Sequence, residues 1–465
     1  MKKFWEKHDL FKLAGLMVLI TVILTWTIPQ GMFQGELTIG EITRVGIFDF
    51  FTYGLLGMYY FTVLVTFVFV LGGFYQVLSK TGGYQKLTDS IAKKFKGKET
   101  LFVLIVSLII AGLTAVMNEY FVIMAFVPLL ITILSKMKLD KITGFAATFG
   151  SILIGILGSI YTTKIISFSV KDLGVEYGTY MWVKLVMFAV AFIAFSVFNV
   201  MHIKKTLKNK KADELVDMFA SSEVTKKNKV WPLALTFIIF ALIAILAYLP
   251  WVDVWNITFF NELLVKINEF EILGSPVFAY LLGNVGAFGT WDIFGIQFIM
   301  LIMALVIKWI YKLKNEEFFT AFGEGFAKTG KLVILMLTAY LVLEFAVMFP
   351  VLPVIADAIM KLTDKFNVLL GILSGLVVSL FSVEYQYTVS LVGGYLATNY
   401  ASLTEQIAIM LQSTYGLVSM FAPTSVILLM GLSYSGITYK EWFKYIWKFL
   451  IFMLLVIIIL MLIIF

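Results

Sequence analysis

The stretch LFVLIVSLIIAGLTAVMNEYFVIMAFVPLLITILS (101–135) decides the fold. It is apolar along its length apart from the polar pair Asn118 and Glu119. Basic segments flank it on both sides, KTGGYQKLTDSIAKKFKGK (80–98) before and KMKLDK (136–141) after. A membrane-crossing helix needs about 20 apolar residues, so these 35 residues cannot cross twice. Lysine marks the cytoplasmic flank of a span, which puts both ends on one side. The stretch therefore reads as a re-entrant hairpin whose tip, VMNEYF (116–121), sits at membrane depth.

The rest of the chain agrees with a bilayer setting. Of 465 residues, 61% are hydrophobic and 14% charged, against about 25% charged in soluble domains. The apolar runs are continuous and too long for barrel strands of about ten residues, so the expected fold is an all-α polytopic membrane protein. The net charge of +7 comes from lysines beside apolar runs, which suits the positive-inside rule and excludes nucleic acid as a partner. There is no cysteine, so disulfides, thiolate chemistry and Cys-ligated metals are excluded. His8 and His202 read as interfacial, with no metal-ligand neighbours. The first apolar run (10–28) reads as a retained helix, with the N-terminus cytoplasmic, and not as a cleaved signal.

Lysine flanks then order the spans. Helices 10–28 and 51–78 precede the hairpin at 101–135. An interrupted helix at 142–170 and a helix at 181–203 follow it. The polar linker 204–231 reads as a solvated cytoplasmic loop between a first transmembrane half (1–203) and a second (232–465). Helices 232–250, 292–308 and 331–349 lead to a second apolar stretch, 367–400. With no basic flank, that stretch reads as a hairpin entering from outside. A broken helix at 406–437 and a last helix at 441–463 close the chain. Trp26, Trp182, Trp231, Trp251, Trp309 and Trp442 fall at span ends and read as an aromatic belt.

The halves share a pattern. SIYTTKIISFSVKDLGVEYGTYMWVKLV from Ser159 aligns without gaps to SMFAPTSVILLMGLSYSGITYKEWFKYI from Ser419, matching Ser159/Ser419, Trp182/Trp442 and Lys184/Lys444. Five residues out of that register, the Glu119 tip faces Glu384 in SVEYQ. Helix 232–250 is unpaired, so the second half starts on the opposite side. The expected architecture is an inverted-topology repeat with two re-entrant hairpins and two discontinuous helices, as in many secondary carriers.

An intramembrane carboxylate costs about 2.5–3.5 kcal/mol on insertion scales and points to function. Candidate solute- and ion-binding residues are Asn118, Glu119, Tyr120, Glu384 and Tyr385 at the tips. At the helix breaks they are Ser159, Thr162, Thr163, Lys164, Pro423, Thr424 and Ser425. Unwound carbonyls at the breaks suit Na⁺. Structural readings compete at each place. Glu119 and Glu384 can cap tip helices, Lys164 can snorkel outward or pair with Glu119, and the hydroxyls can bond between helices. Glu344, mid-span in LTAYLVLEFAVMFP, reads either as a proton site or as a buried pair partner. Gly144, Gly150, Gly155 and Gly158 read as packing positions.

LGGFYQVLSKTGG (71–83), the MNEYF tip with FVPLL, and EQIAIMLQSTYGLVSMFAPTSVILLMGLSYSGITYKEWFKYI (405–446) together resemble the YfcC-like carriers. These belong to the anaerobic four-carbon dicarboxylate carrier group of the ion transporter superfamily. The resemblance implies an elevator-type carrier, homodimeric, in the cell membrane and coupled to Na⁺ or H⁺. It implies substrates among dicarboxylates, short organic acids or amino acids. Two places depart from the family. Its second tip, a Ser-Gly-Ser-Gly run, is SVEYQY (382–387) here, and its first break is TTK (162–164).

The function expected is secondary active transport of a small carboxylate-bearing solute, an organic acid or amino acid. The alternatives are an exchanger of cationic or zwitterionic amino acids, or a passive channel. An enzyme is not expected, because neither HExxH nor GxSxG occurs and no histidine lies mid-span. No cofactor is implied.

Overall fold

The computed structural model describes residues 9–33, 35–208, 214–220 and 229–465, apart from the side chains of Thr163, Leu207 and Lys208. His8 and residues 209–213 and 221–228 of the linker fall outside the described residues. Among the described residues, eight helices are long and apolar enough to cross a membrane. The protein is an all-α polytopic membrane protein, with one small two-stranded ribbon as its only named sheet among the described residues.

In chain order, α1 (Asp9–Thr27) leads to β1 (Gly31–Phe33) and β2 (Leu37–Ile39), then to α2 (Asp49–Tyr60), α3 (Thr62–Ser79) and α4 (Gly82–Lys94). The first long apolar stretch divides into α5 (Glu99–Val116), α6 (Phe121–Met124) and α7 (Val127–Lys136). Next come α8 (Lys141–Leu157), α9 (Thr163–Leu173) and α10 (Met181–Lys208). The middle holds α11 (Trp231–Tyr248), α12 (Phe259–Glu269), α13 (Val277–Leu282), α14 (Ile293–Ile310), α15 (Asn315–Met348) and α16 (Leu352–Met360). The second stretch divides into α17 (Val368–Ser382) and α18 (385–399). The chain ends with α19 (Thr404–Ser419), α20 (Val426–Ser435) and α21 (Tyr439–Ile464).

Local chemistry sets the ends. Pro128, Pro232 and Pro353 stand in the first turns of α7, α11 and α16, where a missing N–H is harmless. Thr438 and Glu441 form a capping box at α21. Gly174 and Gly436 end α9 and α20 in the left-handed conformation.

Polar contacts group the ends into two faces. Lys136 reaches Asp89 at 2.7 Å, Lys80 reaches Glu324 at 2.9 Å, Lys141 reaches Glu441 at 2.9 Å, and Asp9 accepts the Tyr439 N–H at 2.8 Å. These ties gather the lysine-rich segments on one basic face. On the other face, the Gly31 N–H donates to the Pro350 carbonyl at 2.8 Å and Phe366 stacks on Phe465. The α5–α7 stretch starts and ends at the basic face, while α17–α18 starts and ends at the far face. The two stretches therefore open toward opposite faces.

The arms within each stretch are splayed. α5 packs on α8 and α10, whereas α7 packs on α4. Two groups of helices result. α1, α2, α3, α14 and α15 pack on one another, and α5, α8, α10, α17, α19 and α21 form the second group. Glycines let the groups close up: a Cβ on Gly325 would lie 2.2 Å from the Gly72 carbonyl oxygen, and one on Gly416 would lie 2.5 Å from the Leu157 Cα.

Several expectations need correction. The helix expected at 51–78 breaks at Phe61, whose ring stacks on Tyr340 at 3.6 Å. The span expected at 331–349 starts a face earlier, at Asn315, because the amphipathic FFTAFGEGFAKTG joins it without a breaker. Trp442 is fully buried and donates to the Met420 carbonyl at 2.8 Å, so it is a packing residue and not part of a belt. His202 is half-buried and paired to buried Asp140 at 2.9 Å, a partner the sequence did not reveal. The linker is not wholly a solvated loop, since Leu215 and Phe219 are buried.

Candidate functional site: two tips and two breaks

Residues 117–120 join α5 to α6 as the first tip. Its backbone and side chain are anchored outside its own stretch. The Asn118 N–H donates to the Tyr248 carbonyl at 2.7 Å, and the Asn118 amide donates to the Gly289 carbonyl at 2.5 Å. Glu119 is 8% exposed. One of its oxygens accepts the Phe121 N–H at 3.0 Å, which satisfies a free donor at the start of α6. The other accepts from the Lys164 ammonium at 2.8 Å. The capping and pairing readings of Glu119 both hold, and Lys164 turns inward instead of snorkelling. Its ammonium also lies 4.6 Å from the Phe121 ring centroid and 5.2 Å from that of Tyr120, a favourable cation–π placement.

Lys164 is delivered by the first break, 158–162, between α8 and α9. The Ile160 and Tyr161 N–H groups both donate to the Ala115 carbonyl, at 2.8 and 3.0 Å. The Thr162 hydroxyl donates to the Thr114 carbonyl at 2.6 Å. The break thus satisfies the orphan carbonyls at the end of α5, and this holds tip and break in register.

The second tip is built differently. Val383 takes φ 58° and ψ −49°, with the Glu384 N–H donating to the Ser382 carbonyl at 2.5 Å. This is the rare, strained form of γ-turn, here on a β-branched residue. Glu384 stands at the start of α18 yet makes no capping bond with its side chain. Its carboxylate instead accepts from the Tyr340 hydroxyl of α15. The Tyr415 hydroxyl donates to the Val383 carbonyl at 3.1 Å, and the Tyr385 hydroxyl meets Ser169 of α9 at 2.7 Å.

The two tips meet. Glu384 and Tyr387 lie within electrostatic reach of the Lys164 ammonium, and Tyr120 of the first tip interacts with Tyr415 of α19. The result is two carboxylates and one ammonium walled by Tyr120, Tyr340, Tyr385 and Tyr415, all buried.

The hydroxyl candidates fare unevenly. The Thr424 hydroxyl donates to the Leu380 carbonyl at 2.7 Å, mirroring Thr162 at the other break. The Ser159 hydroxyl bonds the Ile156 carbonyl at 2.8 Å, while its own carbonyl accepts from Gln412 at 2.7 Å. Ser425 caps α20, and Pro423 is half-buried beside it. These bonds favour the interhelical and capping readings for Ser159, Thr162, Thr424 and Ser425. Thr163 opens α9, and its side chain is outside the described residues. Among the described residues no three His, Asp or Glu side chains gather to hold a metal.

Sequence reasoning missed Tyr340, Tyr415, Ser169 and Gln412. Tyr340 carried a signal, since it precedes the intramembrane Glu344 by one helical turn and so shares its face. Glu344 is 5% exposed and lies beside Gly57, in electrostatic range of Tyr53 and Tyr387.

Apolar spanning helices around a buried charged cluster fit a membrane transporter, and the family comparison places the chain among transporters and not enzymes. The family profile for DcuC, the C4-dicarboxylate anaerobic carriers, matches residues 8–465, and the chain belongs to that family. No curated protein matches the chain in sequence. Among solved structures, it is similar to the Alcanivorax borkumensis YdaH transporter, whose topology is described as unusual. The identity is 14%, over 97% of this chain and 96% of that one, with a TM-score of 0.44.

Proposed function

We propose that the protein is a secondary active carrier of a small carboxylate-bearing solute, an organic acid or amino acid, bound where the tips and breaks meet. The observation that carries this reading is the Glu119–Lys164 pair facing Glu384 across a tyrosine-walled cluster. A solute carboxylate competes with Glu119 for the Lys164 ammonium. Polar groups on the solute meet Glu384 and the tyrosine hydroxyls. The family profile supports carboxylate recognition.

One feature favours a zwitterionic or cationic amino acid over a dicarboxylate. Lys164 already has Glu119 as a partner, so the cluster holds one carboxylate more than its single ammonium balances. A dianion adds repulsion there, whereas a solute ammonium beside Glu384 removes it. Coupling is to Na⁺ at the unwound breaks or to H⁺. The buried Glu344, with no hydrogen bond or ion pair among the described residues, supports H⁺.

In this reading the two stretches are re-entrant hairpins in the cell membrane, with the N-terminus and basic face cytoplasmic. The second helix group, built from the halves 1–203 and 232–465, slides against the first as an elevator, in a homodimer of the YfcC-like type. Uptake into proteoliposomes, screened over organic acids and amino acids with and without Na⁺ and a pH gradient, tests it. The expected result is saturable, gradient-driven uptake that Glu119→Gln and Glu384→Gln both abolish. Unchanged uptake in both variants moves the site elsewhere, and unsaturable flux marks a channel.

A further inference from the structure

Residues 214–220 (ELVDMFA) interrupt a polar linker, yet they dock on the basic face as firmly as a core segment. Phe219 is 1% exposed and Leu215 5%. The Leu215 N–H donates to the Leu139 carbonyl at 3.2 Å. The Leu215 side chain occupies the space beside Gly144, where a Cβ would lie 2.5 Å from Leu215 Cδ2. The Phe219 ring stacks on Tyr75 at 5.9 Å, touches Tyr434 at 6.3 Å, and has the Lys328 ammonium 5.8 Å from its centroid. Asp217 locks the turn. One oxygen accepts the Phe219 N–H at 2.9 Å and the other accepts the Thr132 hydroxyl at 2.8 Å, with Tyr84 beyond it at 2.9 Å.

What matters is which helices this segment joins. Tyr75 lies on α3 and Lys328 on α15, both in the first group of helices. Gly144 lies on α8, in the second group, and Tyr434 lies on α20, which continues α19 beyond the break. The segment thus bridges the two groups at the basic face. An apolar anchor that buries its full ring is enough to bias a two-state element without freezing it.

We propose that residues 214–220 are a strap that holds the two helix groups together at the basic face, and that it leaves its seat each time the groups slide. The proposal rests on the carrier reading for the sliding step, but not for the docked geometry. In it, strap release is part of the transport cycle, and weakening the strap exposes the crevice between α3 and α20.

The chain has no cysteine, so introduced cysteines report cleanly. In a Gly144→Cys/Leu215→Cys variant, oxidation is expected to cross-link the pair and cut uptake at least tenfold, with recovery on reduction. In detergent-solubilised protein, a single cysteine at Tyr434 is expected to react with a maleimide at least tenfold faster when Phe219→Ala is added. A pair that does not cross-link, a cross-linked protein that transports at its reduced rate, or labelling unchanged by Phe219→Ala overturns the strap. If the unmodified protein takes up no solute, the carrier reading fails, and the labelling rates alone decide the strap.

Discussion

The two tips each join the arms of a long apolar stretch but solve the same electrostatic problem in opposite ways. The first keeps its carboxylate buried and neutralised: Glu119 is held by Lys164 and by a backbone donor of its own helix. The second leaves Glu384 half-buried with a neutral phenol, Tyr340, as its hydrogen-bond donor, and it rests on a strained turn at Val383. A carboxylate with an ammonium partner is a closed arrangement, whereas one with a tyrosine partner keeps its charge available. The difference suggests a division of labour, in which the first tip sets the frame and the second responds to the solute or coupling ion.

The sharpest way to break this comparison is to remove Lys164. Losing one partner of a buried pair costs about 3–5 kcal/mol, because the other charge is left uncompensated. Lys164→Met is therefore expected to lower the melting temperature steeply and abolish uptake, and a second change, Glu119→Gln, is expected to restore much of the stability. Glu384→Gln is expected to abolish uptake with little change in melting temperature. If Lys164→Met and Glu384→Gln destabilise equally, the tips do not differ in the way argued.

A second contrast lies in residues that the repeat aligns. Trp442 is fully buried against Phe145 and bonded to Met420, while its counterpart Trp182 is 47% exposed. Trp442→Ala is expected to cost about 3–5 kcal/mol and Trp182→Ala under about 0.5 kcal/mol. Thermal unfolding in detergent measures both. Equal losses would mean that Trp182 is covered in the intact membrane protein, for example by a second copy.

Much of this architecture is legible in the sequence because two rules act on composition alone. Lysine flanks place both ends of 101–135 on one face, and span length forbids two crossings. The structure keeps both ends together, as Lys136 bonded to Asp89 attests. The breaks are legible too, since small polar residues interrupt apolar runs at 158–163 and 423–425. What composition does not carry is which partner a side chain meets across the sequence. Tyr340 and Glu384 are 44 residues apart and Gln412 and Ser159 are 253 apart, distances no local pattern spans. Leu215 and Phe219 sit in a linker whose charge average hides two apolar anchors. Trp182 and Trp442 align in sequence but differ in burial, because each packs on different neighbours.

Relaxing the second tip gives a smaller effect. A β-branched residue held at positive φ costs of order 1–3 kcal/mol. Val383→Gly is expected to stabilise the protein by about 1 kcal/mol, net of glycine's own entropy cost. The same change is expected to alter the solute KM more than the maximal rate, since the turn that aims Glu384 loosens. A loss of stability on this substitution would mean that the Val383 side chain contributes more by packing than its turn costs.

The mouths of the two broken helices give the smallest predicted contrast. α19 opens from a 3₁₀ turn with no side-chain cap at Leu403. α8 opens at Asp140, which sits among His202, Thr143 and the linker residue Glu214. Burial alone would push the Asp140 carboxyl up, but the hydrogen bonds from His202 and Thr143 outweigh it and hold the group below the ordinary carboxylate value. An acid with a lowered folded value stabilises the protein fully above its unfolded value, near 3.8, and loses that contribution as pH falls through the folded value. In His202→Ala the folded value moves back up toward the unfolded one, so the stability that the depressed carboxyl contributes near neutrality shrinks. Melting temperatures recorded from pH 6 down to about 3 are expected to lie lower for His202→Ala than for the unmodified protein near pH 6, and the two curves are expected to converge as the pH falls and Asp140 is protonated in both. Parallel curves would mean that the imidazole holds Asp140 by geometry alone, and the two mouths would then be electrostatically alike.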